Sequence, residues 1–160
     1  MNHNILYSQK IEMNWTVFLA PLILGSLSGI ASGSFKDAPQ VPGFRPPDWV
    51  FGPVWTILYL LMGYAASQMK TVPMIFWVQL ALNLAWSPVF VRFKNPKLAL
   101  AILVTLWVSI ALTIQEFGPL GKFMVPYLVW VSFAGYLNWK AAYPHLVSDY
   151  AGMSRASRMQ

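Results

Sequence analysis

The chain has 160 residues, 57% of them apolar, no cysteine and a net charge of +6. Without cysteine there is no disulfide framework, no thiolate nucleophile and no cysteine-ligated metal. His3 and His145 both lie outside the apolar stretches, which argues against a buried haem ligand or a histidine metal site, and no metal site is assigned.

Residues 1–14 read as a polar tail. Five apolar stretches follow: Trp15 to Ser34, Trp49 to Met69, Val72 to Val91, Leu98 to Gln115 and a last one from Phe123 to Trp139, its helix extending to Tyr143. Each is close to the roughly 20 residues that fill a hydrocarbon core at helical rise. Backbone in lipid must satisfy its own hydrogen bonds, and these stretches lack the alternation of barrel strands. The expected fold class is an all-α integral membrane protein, a five-transmembrane-helix bundle over 15–143, followed by a basic C-terminal tail, 144–160. Too little sequence remains for a soluble catalytic domain, so function has to sit between the helices or in a loop.

The first stretch follows Lys10, as a signal peptide would. It is too long and too rich in glycine and serine for a secretory core, and Glu12 weakens the positive flank, so it reads as a retained helix. Gly25, Gly29 and Gly33 stack on one of its faces, which suits close packing within the chain or, as a second choice, a dimer seam. The loop from 35 to 48 contains Pro39, Pro42, Pro46 and Pro47 and is expected to be a stiff, lid-like cover. Asp48 is placed as the N-cap of the second helix, with Pro53 in its first turn. Pro88 is expected to bend or break the third helix, in which Ala81 and Ala85 form another small pair.

Alternating loops set Lys10, Lys70 and Lys122 on one side. Lys36, Arg45, Arg92, Lys94, Lys97, Lys140, Arg155 and Arg158 fall on the other. Excess Lys/Arg in short loops marks the cytoplasmic face, so the C-terminus is expected there. The basic residues then act as topology signals and contacts to membrane lipid, and nucleic acid is not an expected partner.

Trp15, Trp49 and Trp139 sit at span ends, where indole anchors to headgroups. Trp55, Trp86, Trp107 and Trp130 lie deeper, to fill a core or line a cavity. Gln79, Asn83 and Ser87 form a polar stripe beside Trp86; Trp55 and Tyr59 share a face of the second helix, and Trp130, Ala134 and Asn138 share one of the fifth. Two readings stand level at this point: an aromatic pocket with a few polar anchors, or interhelical hydrogen bonding alone. No ionisable residue sits in mid-span, which argues against an ion-coupled pump and against conventional acid–base catalysis.

The segment from Arg45 to Tyr59, RPPDWVFGPVWTILY, resembles the second-helix signature of the tryptophan-rich sensory protein, or translocator protein, family, which includes the peripheral-type benzodiazepine receptor. QLALNLAWSP, from Gln79 to Pro88, resembles its third-helix motif. PYLVWVSFA, from Pro126 to Ala134, with Leu137-Asn138, resembles its fifth. The resemblance implies a five-helix, commonly dimeric bundle with a pocket open toward the long first loop. It implies binding of tetrapyrroles such as protoporphyrin IX and haem, of isoquinoline and benzodiazepine ligands, and in some members of sterols. Porphyrin enters as ligand, and no cofactor is obligatory. By position, Trp55 and Trp130 match tryptophans implicated in porphyrin binding and its light-dependent oxidative breakdown, the only sense in which they would be catalytic. Asn83, Trp86, Ser87 and Ala134 match pocket-lining positions. Tyr59 joins them through the face it shares with Trp55, and Asn138 through the face of Trp130. The chain departs from animal members at the cholesterol motif, where Trp139 and Tyr143 replace a tyrosine and an arginine, and at Leu98, a tryptophan in some members. The host is expected to be a bacterial or a mitochondrial outer membrane.

Overall fold

The computed structural model describes residues 13–43 and 45–147. The expected tails fall mostly outside this range, with Lys10, Arg155 and Arg158. Among the described residues there are five α-helices and no strand: α1 Trp15–Ser32, α2 Phe51–Ser67, α3 Met74–Val91, α4 Pro96–Phe117 and α5 Val125–Ala142. Local chemistry sets their ends. Asn14 caps α1 by accepting from the Val17 amide, and Asn95 caps α4 by accepting from Leu98, with Pro96 in the first position, where its missing N–H costs nothing. Gly33 and Gly118, both at positive φ, end α1 and α4.

Two local expectations are corrected. Asp48 does not cap α2. A 3₁₀ turn, Asp48–Val50, leads into the helix, and the Asp48 carboxylate is taken by Arg45 at 2.6 Å. Of the bend or break expected at Pro88, the break does not occur: α3 continues to Val91. A proline there deprives the carbonyl four residues back, that of Leu84, of its helical donor. The Ser28 hydroxyl of α1 donates to this carbonyl at 2.7 Å. Lipid offers no substitute donor, so the serine supports the proline from the neighbouring helix. Ser28→Ala is expected to lower stability by about 1–2 kcal/mol, and Ser28→Ala in a Pro88→Ala background by much less; thermal unfolding in detergent reads both.

Among the described residues, four continuous helical stretches are long and apolar enough to cross a membrane. The last, Pro96–Ala142, has 47 residues and would run roughly 70 Å if straight, more than twice a hydrocarbon core. It folds back on itself through the 3₁₀ segment Gly118–Met124. Trp107 Nε1 donates to Ser132 Oγ at 2.9 Å and Asn138 Nδ2 to the Pro96 carbonyl at 2.6 Å, so α4 and α5 lie antiparallel. At the fold, Gly121 is pressed against the Ile114 carbonyl, where a side chain has no room.

Helix α4 packs against α3 and α5, and α1 against α2 and α3. Met62, Ala65, Phe76, Leu106, Ile110 and Tyr127 are buried between them. The outer surface is equally apolar: Ile30 is 79% exposed and Val129 65%. Such a surface belongs against acyl chains. The chain is a multi-pass membrane protein. Trp107, expected to fill a core or line a cavity, is 42% exposed and lines an open groove between α4 and α5.

The long first loop, the α3–α4 turn and the end of α5 meet at one end of the bundle. There Arg92 donates to the Ala31 carbonyl, Lys140 lies under Gly43, and Lys97 faces the Tyr143 ring. Lys70 and Lys122 occupy the opposite end, where Tyr64 meets Phe123 edge-on at 5.0 Å.

Candidate functional site

The α1–α2 contact is uneven along its length, and a cavity results. At Gly63 the α2 backbone touches the Phe18 carbonyl of α1, and one level further Gly25 is pressed against the Tyr59 ring. Toward the loop end the helices part: a side chain at Gly29 or Gly52 would meet nothing within 4 Å. The expected glycine face is therefore half packing surface and half cavity wall. A space of about 310 Å³ opens here among α1, α2 and α3, near the lower end of the range for small-molecule sites. Its exposed lining residues, Ser26, Gly29, Gly52 and Thr56, lie in the cleft between α1 and α2.

Trp55, Tyr59, Asn83, Trp86 and Ser87 line this space. Trp55 stacks on Tyr59 at 5.5 Å and leans on Trp86 at 6.2 Å, with Tyr127 edge-on behind it at 6.1 Å. The Tyr59 hydroxyl donates to Asn83 Oδ1 at 2.8 Å, which orients the amide and leaves Nδ2 without a hydrogen-bond partner of proper geometry. The floor is thus the Asn83 amide, oriented by Tyr59 and with its Nδ2 buried beside Tyr127, under a wall of indole and phenol rings.

Ala134 and Asn138 stand elsewhere. They line a second, much smaller space of about 20 Å³ among α3, α5 and the loop residues Val41 and Arg45. Asn138 is fully buried and committed on both sides: Trp86 Nε1 donates to its Oδ1 at 3.1 Å, and its own Nδ2 serves Pro96. Of the two readings, interhelical hydrogen bonding describes Asn138. Trp130 lines neither space. It lies edge-on to Phe51 at 5.8 Å, its Nε1 buried and unpartnered.

Three aromatic residues, Phe35, Phe51 and Trp86, border both spaces. Phe35 comes from the loop and stacks on Phe51 at 5.0 Å with planes 12° apart. Arg45 holds it in place by donating to the Phe35 carbonyl at 2.9 Å while pairing with Asp48. Phe35, Phe51 and the α1 wall were not singled out from sequence. Two signals were available: Phe51, Trp55 and Tyr59 recur at intervals of four, and Ser28 and Ser32 flank the glycines of α1.

The site holds no acid–base pair away from the loop. Asp48, at its loop end, is bound to Arg45, and among the described residues no group of three His, Cys, Asp or Glu could hold a metal ion. The arrangement suits the binding of a flat, largely apolar molecule.

The sequence profile of the TspO/MBR family matches residues 17–143. The tryptophan-rich protein TspO of Chlorobaculum tepidum is 41% identical over 132 residues, covering 69% of this chain and 84% of that protein. The translocator protein homolog of Schizosaccharomyces pombe is 36% identical over 157 residues, 86% of this chain and 96% of its own length. The human translocator protein is 35% identical over 115 residues, 62% of this chain and 68% of its own.

Proposed function

The chain belongs to the TspO/MBR family, and from that premise we propose that it is a five-span membrane receptor or carrier for tetrapyrroles such as protoporphyrin IX and haem. The observation that carries the reading is the cavity walled by the Trp55, Tyr59 and Trp86 rings between α1, α2 and α3. A flat macrocycle stacks on such rings. The cleft between α1 and α2 gives it a way in from the bilayer. Its carboxylates fall toward the basic end, where Lys36 is exposed while Arg45 is engaged with Asp48. Isoquinoline and benzodiazepine ligands suit the same rings.

The orientation belongs to the same proposal, with the basic end and the C-terminus in the cytoplasm. So does a homodimer, for which Ala81 and Ala85 present a small, exposed face on α3. Light-driven breakdown and sterol binding gain no separate support, since Trp55 lines the cavity and Trp130 does not.

Titration of protoporphyrin IX against the detergent-solubilised protein tests the reading. Expected is a saturable shift of the porphyrin absorption band with parallel tryptophan quenching. Trp55→Leu and Asn83→Leu should each weaken binding about tenfold, the equivalent of roughly 1.4 kcal/mol. Non-saturable quenching, or variants that bind as well as the parent, would remove the assignment.

A further inference from the structure

Resting on the tetrapyrrole reading, we propose that Phe35 is the size filter of this site, a movable aromatic partition tethered by Arg45. With the partition closed, the site is a chamber for two-ring molecules. With it open, the two spaces join across the room that the Phe35 ring vacates, and this gain, far more than the smaller space itself, lets a macrocycle in.

The geometry carries this in three steps. The larger space, at about 310 Å³, is near the small end of ligand sites, and the smaller one, at about 20 Å³, holds no more than a water-sized group. A four-ring macrocycle outgrows the first space, and the second lies directly behind the stacked Phe35 and Phe51 rings. Of the three residues bordering both spaces, Phe51 and Trp86 are fixed on helices and buried, while Phe35 belongs to the loop and is half-buried. It is the member able to swing without unfolding a span. Finally, the groups beyond the partition form a continuation of the site. Ala134 and Leu137 of α5 line the smaller space. Opening the partition brings α5 to the same ligand that Trp55 and Trp86 contact.

Arg45 supplies the restraint. Its guanidinium holds the Phe35 carbonyl and the Asp48 carboxylate together, tying the loop to the start of α2. Removing either the ring or the tether raises the fraction of molecules open to a macrocycle. If the parent is open about one-tenth of the time, removal speeds macrocycle association about tenfold. A two-ring ligand already fits and gains nothing.

Stopped-flow association with the full chain in detergent, using protoporphyrin IX and 2-acetylnaphthalene as probes, tests this. Phe35→Ala and Arg45→Ala should both accelerate protoporphyrin association, the first by about tenfold, while neither accelerates 2-acetylnaphthalene. The Arg45 variant retains the ring, so it separates loss of the restraint from loss of a wall contact. Protoporphyrin association at the parental rate in both variants overturns the partition and leaves tetrapyrrole binding intact. Equal acceleration of both probes also overturns it, because Phe35 would then act as an ordinary lid. Absence of saturable protoporphyrin binding in parent and variants alike overturns the tetrapyrrole reading itself, and the size filter with it.

Discussion

Asn138→Leu is expected to be among the most destabilising single changes in this chain, by about 2–4 kcal/mol. Asn138 joins three helices with one amide: its oxygen accepts from Trp86 of α3, and its nitrogen donates to the Pro96 carbonyl at the start of α4. Leucine fills a similar volume and leaves both partners behind. The indole N–H of Trp86, itself 4% exposed, then has no acceptor, and lipid offers none. Asn138→Asp keeps the acceptor but loses the donor and buries an acid, so it is no rescue. Trp86→Phe removes the orphaned donor in advance, and Asn138→Leu should cost clearly less in that background. Thermal unfolding of the four chains in detergent gives the coupling directly. Additive losses would mean that the hydrogen bond contributes nothing.

Gly63→Val is expected to unseat α1. A Cβ at position 63 runs into the backbone carbonyl of Phe18, which cannot turn aside as a side chain does. Overpacking of this kind costs about 1–3 kcal/mol, here where the α2 backbone touches that of α1. Since α1 forms one wall of the cavity, the effect extends to binding, and protoporphyrin affinity should fall along with the unfolding temperature. Gly135→Ala is the control. Its Cβ would stand in open space, so replacement should be neutral or stabilising by about 0.5–1 kcal/mol through helix propensity. Equal behaviour of the two variants would remove the claim that α1 is held by backbone contact.

The partial match between expectation and structure has identifiable causes. Proline at position 88 carried the local rule that a missing N–H interrupts a helix. The rule failed because a serine 60 residues earlier in the chain supplies the donor. Asp48 carried the signature of an N-cap, but Arg45 offers the carboxylate a full charge at 2.6 Å, a stronger partner than a neutral amide. Trp107 was placed in a core or cavity because it falls deep within a span and not at its end. Its N–H finds a partner in Ser132 while the ring stays partly exposed. The departures at Pro88 and Trp107 are contacts between residues distant in sequence, which periodicity does not register; that at Asp48 is local, a charge three residues away outcompeting an amide.

Some properties need no folding to be read. Long uncharged stretches force helices and a membrane, because backbone in hydrocarbon has only itself to bond with. The collinear aromatic motifs around Trp55, Trp86 and Trp130 were enough for the family resemblance. The chain alone also brought Trp55 and Tyr59 to one face, since an interval of four is local geometry. Whether those faces enclose one space was decided by packing. The divergence of α1 from α2 beyond Gly25 made the main cavity, and the ring of Phe35, carried over from a loop, divides it from the α5 residues. Shape between helices depends on where backbones touch and where they part, and that is fixed by side-chain volumes meeting from different helices.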